Sequence, residues 1–383
     1  MTGKNDVLFT PFRIGNLQTR NRFVMAPMTR CFSPEGVPGE DVVRYYRRRA
    51  EAQVGLIVTE AVGVDHPAST GEGSVAERNL PLLHGEAALN GWRRVVDEVH
   101  AVGGLVFPQL WHMGPVRIEN TGPHPDAPSC RPSGLWGPAG QVHSIMPGYL
   151  ERVEPLTRPM TESQIADVIA GYARSAANAR AVGFDGIAIH GAHGYLIDSF
   201  FWDVTNRRQD RYGGELAARA RFAAEAVKVI RDAAGPLPIL FRFSQWKLQD
   251  YEATSFRNPA ELELVLGMLA DAGVDIFEAS TRQFSNPAFA GSSLSLAGWA
   301  KKLSAKPTIC VGGVGLGTDL INSIAGQTGG SDNLDLVRER LEAGEFDLVA
   351  VGRALLVDPE FALKVRDAQA LKPFSMEAVA SLY

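Results

Sequence analysis

Two imidazoles and a phenol stand close together in His190-Gly191-Ala192-His193-Gly194-Tyr195, directly after the apolar run Gly186-Ile187-Ala188-Ile189. If that run is a buried strand, these side chains emerge at its C-terminal end, where parallel α/β enzymes carry their chemistry. Gly191 and Gly194 let the backbone turn tightly between them. Such groups can grip a carbonyl-type oxygen and supply a proton. The His-x-x-His spacing also admits a metal, with His112 as a third ligand. Against a metal, no carboxylate or thiol stands at an obvious matching position. Plain structural histidines bonded to backbone are a further alternative.

Other polar groups follow apolar runs elsewhere. Gln109 ends one run, with Trp111 and His112 close behind, and Arg242 lies inside Leu240-Phe241-Arg242-Phe243. A buried guanidinium must be paired, by an internal carboxylate or by an electron-rich ligand edge. Gly312-Gly313 and Gly352-Arg353 follow two late runs. Glycines allow backbone N–H groups to approach an anion, and an arginine fork suits phosphate oxygens. The bland alternative is a turn beside a surface ion pair.

The elements that must position these groups are short, nearly continuous apolar runs at 22–26, 56–61, 105–109, 186–190, 239–243, 275–280, 308–312 and 348–352. Lack of polar alternation marks strands buried on both faces. Between them the spacing predicts helices near 40–52, 86–101, 216–234, 259–272 and 334–343. The clearest helix starts at the N-cap Thr161 and stops at Gly183. Alternating strands and helices predict a (β/α)8 TIM barrel. A doubly wound open sheet is the runner-up, but it calls for an early G-x-G-x-x-G turn. The late cluster Gly312-Gly313-Val314-Gly315-Leu316-Gly317 has the wrong spacing.

The chain of 383 residues is read as a single barrel domain, 1–383. A barrel needs about 250 residues, so the surplus lies in loops. The longest excursion, about 113–160, is expected to cover the barrel mouth as a small hairpin or lid. Segments 281–297 and 315–332 are expected as shorter insertions on the same face. A formal charge of −5 without a dense basic run argues against nucleic acid. Three scattered cysteines, Cys31, Cys130 and Cys310, fit a reducing cytoplasm better than a disulfide framework. No signal peptide, membrane span or coiled coil is evident, and a homo-oligomer is left open.

Taken together the chain resembles the old yellow enzyme family of flavin-dependent ene-reductases. The residues that carry the resemblance are Asn21-Arg22-Phe23-Val24-Met25-Ala26-Pro27-Met28-Thr29-Arg30, Gly55-Leu56-Ile57-Val58-Thr59-Glu60-Ala61 and Gln109-Leu110-Trp111-His112. His190 to Leu196, Asn206-Arg207-Arg208, Asp210-Arg211-Tyr212-Gly213-Gly214 and Val351-Gly352-Arg353 complete the set. The resemblance implies FMN at the C-terminal mouth. It implies Pro27, Met28, Thr29 and Ala61 along the flavin ring, Gln109 on its pyrimidine edge and Arg242 near N1. Gly312, Gly313, Gly352 and Arg353 would hold the phosphate.

His190 and His193 would bind the carbonyl oxygen of an enone-like electrophile. Hydride would pass from flavin N5 to the β-carbon, and Tyr195 would protonate the α-carbon. Trp111, Arg282 and Phe284 are added as substrate-facing residues, and NAD(P)H as the transient reductant. The chain departs from the family at Ser244-Gln245-Trp246-Lys247, Phe200-Phe201-Trp202-Asp203, Pro115 and Arg211. Those departures bear on the substrate walls. They motivate a desaturase or a nitro-type reductase as one alternative; a flavin-free barrel binding a phosphate ligand is another.

Overall fold

The computed structural model describes residues 6–74, 77–139, 148–316 and 333–383. A hairpin of β1 (Phe12–Ile14) and β2 (Leu17–Thr19) comes first. Eight parallel strands then close into a barrel. They are β3 (Phe23–Met25), β4 (Leu56–Gly63), β5 (Val106–Trp111), β6 (Ile187–His190), β7 (Ile239–Ser244), β8 (Ile276–Ser280), β9 (Thr308–Val311) and β10 (Leu348–Val351). Neighbours around the barrel follow chain order, and β10 pairs with β3 to close it.

Alternate strand residues face two different cores. Val24, Leu56, Phe107, Leu240, Ile276 and Leu348 fill the barrel interior. Their neighbours Phe23, Ile57, Val106, Phe241, Phe277 and Val349 lie in the outer core with the helices. Full burial of each such side chain contributes about 1.5–3 kcal/mol, which is why these strands need no polar face. Ile14 packs with the inward residues that begin the strands, so the hairpin closes the lower end of the barrel. β1 and β2, unlike the equally short β3, mix exposed and buried residues and so leave no apolar run to read from sequence.

The helices are α1 (Glu40–Glu51), α2 (Glu86–Ala101), α3 (Tyr149–Val153), α4 (Glu162–Val182), α5 (Leu196–Phe201), α6 (Leu216–Ala234), α7 (Pro259–Ala272), α8 (Leu296–Ser304), α9 (Leu334–Glu342), α10 (Arg353–Val357) and α11 (Phe361–Arg366). Thr161 caps α4 in a full capping box with Gln164, and Gly183 ends it. Among the described residues no helix is long and apolar enough to cross a membrane.

The excursion at 113–160, expected as a small hairpin or lid, is described at 113–139 and 148–160. Its described residues contain the turn Gly114–Val116 and the short helix α3, and no strand. Val116, Ile118, Trp136, Tyr149 and Val153 give it a small core of its own, against which Tyr195 and Leu248 pack. Residues 140–147 of the excursion and 317–332 of the 315–332 insertion, including Gly317, lie outside the described residues. The expected insertion at 281–297 runs directly into α8.

Candidate active site

Strand register assembles the site. Pairing of β6 with β7 sets His190 beside Arg242, and pairing of β7 with β8 sets Arg242 beside Glu278 and Ser244 beside Ser280. Pairing of β4 with β5 sets Ala61 beside Gln109, just past a register shift between Val58 and Ala61. His190, Ser244 and Ser280 end their strands, and Ala61, Gln109, Arg242 and Glu278 lie two residues before the C-terminal ends of theirs. Trp111, expected just beyond its strand, is the last residue of β5.

His190, His193 and Tyr195 converge. The ring centroids of His190 and His193 are 5.0 Å apart, and those of His190 and Tyr195 are 4.9 Å apart. Trp111 packs edge-on against Tyr195 at 4.9 Å. Burial, with the positive charge of Arg242 adding to it, holds both imidazoles well below their ordinary range. Burial likewise pushes the Tyr195 phenol well above its ordinary value. At neutral pH the trio is therefore uncharged, and every member carries a transferable or donatable proton.

The backbone at His193 takes a left-handed φ of 65°. Its surroundings hold that conformation. The His193 N–H donates to Ser244 Oγ at 3.0 Å, and its carbonyl accepts from Leu248 N at 3.2 Å. Trp246 stacks on the imidazole at 4.3 Å with 25° between the planes. Tyr251 lies 5.4 Å from Trp246, and the Arg282 guanidinium lies 5.2 Å from the Tyr251 ring. The wall beside His193 thus runs outward through residues that sequence reasoning noticed only as a departure (Trp246) or not at all (Tyr251). Phe284, expected to face the substrate, is 2% exposed and packs with the outer core. Its N–H donates to the Gly312 carbonyl at 2.9 Å, which turns the loop back onto β9.

The groups proposed for a cofactor lie around the same mouth. Thr29 is exposed, and Pro27 and Met28 are half-buried in the loop after β3. Gln109 Nε2 and Arg242 Nε are buried without a hydrogen-bond partner. An unpaired buried donor costs about 1–3 kcal/mol, so both atoms fit the polar edge of a bound ring. Arg242 also sits 3.6 Å from Glu278 Oε1 and donates to Ser280 Oγ at 3.1 Å. Burial raises the Glu278 carboxyl, and Arg242 opposes that shift.

Gly312 and Gly313 have φ of 147° and 68°, and a Cβ at Gly313 would meet Gln283 Oε1 at 2.5 Å. The site one strand over is roomier: nothing approaches a Cβ at Gly352 nearer than Met28 Sδ at 3.5 Å. Arg353 is half-exposed, with its guanidinium 5.7 Å from the Phe374 ring. Tight, left-handed glycines beside an open one and an arginine suit a phosphate group.

His112 does not join His190 and His193. Its Nε2 meets His66 Nδ1 at 3.1 Å, and Cys130 brings a thiol into the same group. In both rings Nδ1 accepts a backbone N–H, from Gly114 and from Ala68. Each neutral ring then carries its proton on Nε2, which opposes metal ligation there.

Glu60, present in sequence only as part of the Gly55–Ala61 motif with no role of its own, is a buried carboxylate. Its Oε2 accepts from the backbone of Arg30 and Cys31, at 2.9 Å and 3.4 Å. Burial pushes the carboxyl up to about 7 from 4.5, against those hydrogen bonds. A raised acid stabilises the fold fully below its unfolded value, and that contribution is lost as pH rises through about 7. Glu60→Gln is expected to remove about 3 kcal/mol of pH dependence across this window. Urea unfolding at each end of the window measures it, and an unaltered pH difference would rule it out.

The chain matches the model of the NADH:flavin oxidoreductase / NADH oxidase family over residues 7–372. It is 31% identical to 12-oxophytodienoate reductase 7 of rice (Oryza sativa subsp. japonica) over 369 residues, covering 95% of this chain and 88% of that protein. It is 32% identical to an NADH oxidase of Thermoanaerobacter brockii, covering 94% of this chain and 50% of that protein. Among solved structures, an old yellow enzyme homologue from Zymomonas mobilis superposes with a TM-score of 0.78 at 25% identity, covering 97% of this chain and 96% of its own. Morphinone reductase in complex with tetrahydroNAD gives 0.78 at 26% identity, covering 98% and 94%. These matches overturn the flavin-free alternative. With barrel, mouth and sequence in agreement over nearly the whole length, the chain belongs to the NADH:flavin oxidoreductase / NADH oxidase family, the FMN-dependent, NAD(P)H-using enzymes of the old yellow enzyme type.

Proposed function

We propose that this oxidoreductase reduces the activated C=C bond of an α,β-unsaturated carbonyl compound. The observation that carries the proposal is the convergence of the buried rings of His190, His193 and Tyr195 at the end of β6, with centroids 4.9 to 5.0 Å apart. Two imidazole N–H groups are suited to one carbonyl oxygen, and they draw charge away from the conjugated β-carbon. A phenol held protonated next to them is suited to deliver a proton to the α-carbon. Bound FMN supplies the two-electron chemistry, recharged by NAD(P)H.

The chain's own residues would bind that cofactor as follows. Gln109 and Arg242 offer their unpaired N–H groups to the ring edge. Pro27, Met28, Thr29 and Ala61 line it, and Gly312, Gly313, Gly352 and Arg353 take the phosphate. Trp111 and Arg282 face the substrate. The 113–160 excursion acts as a cover on a single barrel domain; Gln249 Nε2 ties it to the loop after β7 by donating to the Trp136 carbonyl at 3.3 Å.

Anaerobic reduction of the FMN-loaded protein with NADPH, followed by mixing with 2-cyclohexenone, tests the function. The expected result is flavin reoxidation with formation of cyclohexanone. Reoxidation by dioxygen alone, with no saturated ketone, would overturn it. Gly313→Ala is expected to weaken FMN binding about tenfold or more, since the added Cβ must displace Gln283 and hold a left-handed φ. Equilibrium dialysis against FMN measures this, and an affinity within twofold of the parent would remove Gly313 from the phosphate site.

A further inference from the structure

His193 Nε2 lies 2.8 Å from Ser280 Oγ, so that nitrogen is already engaged inside the protein. The same hydroxyl accepts from Arg242 Nη2 at 3.1 Å. A guanidinium only donates, so one lone pair of Ser280 Oγ is committed to it. Ser280 is 2% exposed, and His193 is the remaining partner of its hydroxyl among the described residues. If His193 Nε2 donated to Ser280, the hydroxyl proton would be stranded in a buried site, at a cost of about 1–3 kcal/mol. The arrangement that satisfies every group has Ser280 O–H donating to Nε2. A neutral imidazole has one proton, which then sits on Nδ1.

His190 is set the other way. Its Nδ1 accepts the Ala192 N–H at 3.4 Å, which leaves the proton on Nε2. The pair therefore presents one Nε2–H and one Nδ1–H.

We propose that Ser280 is a positioning residue: its hydroxyl, oriented by Arg242, fixes the His193 proton on Nδ1 and so makes His193 a donor to the carbonyl oxygen of the substrate. The proposal rests on the carbonyl-binding function given above. It also links Arg242, on the cofactor side, to the imidazole on the substrate side through one hydroxyl. Loss of that hydroxyl frees His193 to turn its proton to Nε2, and the second donor to the carbonyl is then lost.

The test is the tautomer itself, read by long-range ¹H–¹⁵N correlation on the FMN-loaded protein with ¹⁵N-labelled histidine. A His193→Gln sample identifies the signal. The parent is expected to show His193 protonated at Nδ1. Ser280→Ala is expected to shift the proton towards Nε2 and to weaken binding of cyclohexanone, followed by flavin absorbance, about tenfold. Ser280→Thr, which keeps the hydroxyl, is expected to restore both. An Nε2–H tautomer in the parent would overturn the proposal, as would a Ser280→Ala protein with unchanged tautomer and affinity. If Ser280→Ala fails to fold, the parent tautomer alone decides. An Nδ1–H parent that binds no carbonyl ligand would uphold the relay and overturn the carbonyl-binding function.

Discussion

Tyr195→Phe is expected to leave FMN binding and NAD(P)H oxidation intact while enone reduction slows by about 10²–10⁴. The phenyl ring keeps the edge-on contacts with Trp111 and His190, each 4.9 Å between centroids, so the pocket walls stay in place. Only the hydroxyl is removed. Burial holds that hydroxyl protonated far above neutral pH, which suits an acid and not a base. The rate of its step should accordingly be flat with pH through the neutral range. Rapid mixing separates the two half-reactions: flavin reduction by NADPH, then reoxidation by 2-cyclohexenone. An unchanged reoxidation rate would remove Tyr195 from proton delivery.

Lys247→Met is expected to cost about 3–5 kcal/mol of stability, because it strips the buried Asp198 carboxylate of its counter-ion. Lys247 and Asp198 are 0% and 1% exposed, with Nζ 2.7 Å from Oδ2. Burial lowers the Lys247 ammonium and raises the Asp198 carboxyl, and their mutual attraction opposes both shifts. Ser255 also hydrogen-bonds Lys247.

The pair also shapes the site. Asp198 Oδ2 accepts the Gly194 N–H at 2.7 Å, and the segment at Lys247 bridges to His193. The loss should therefore reach the Trp246–His193 stack as a lower kcat/KM for the enone. Adding Asp198→Asn is expected to recover most of the stability, since the amide oxygen still accepts from Gly194 while the charge disappears. Urea unfolding of the single and double variants measures both effects. A single-variant loss below about 1 kcal/mol would show that the pair does not anchor the loop.

Much of the barrel is legible in the sequence. Runs such as Leu348-Val349-Ala350-Val351 are apolar at every position, and only a strand covered on both faces has use for that. The N-cap Thr161 with Gln164 and the stop at Gly183 bound α4 through local hydrogen bonds within one turn. The hairpin β1–β2 was not legible, because its fixing contact is Ile14 against distant barrel strands. Phe284 meets the same limit: in sequence a loop phenylalanine looks alike whether it faces a ligand or packs against the outer core.

At the site the division is equally physical. Residue type and local spacing marked His190, His193 and Tyr195 as a group, since a turn of six residues brings them together wherever the chain runs. The sequence alone determined the strand-and-helix order and the chemical inventory at the strand ends. The tertiary structure alone decided which of those groups touch: Arg242 with Glu278 and Ser280, Ser280 with His193, and Lys247 with Asp198. Those contacts depend on the register between neighbouring strands and join residues as far as 49 and 87 positions apart in the chain. Register is set by the packing of the closed barrel as a whole, which no local window of sequence contains.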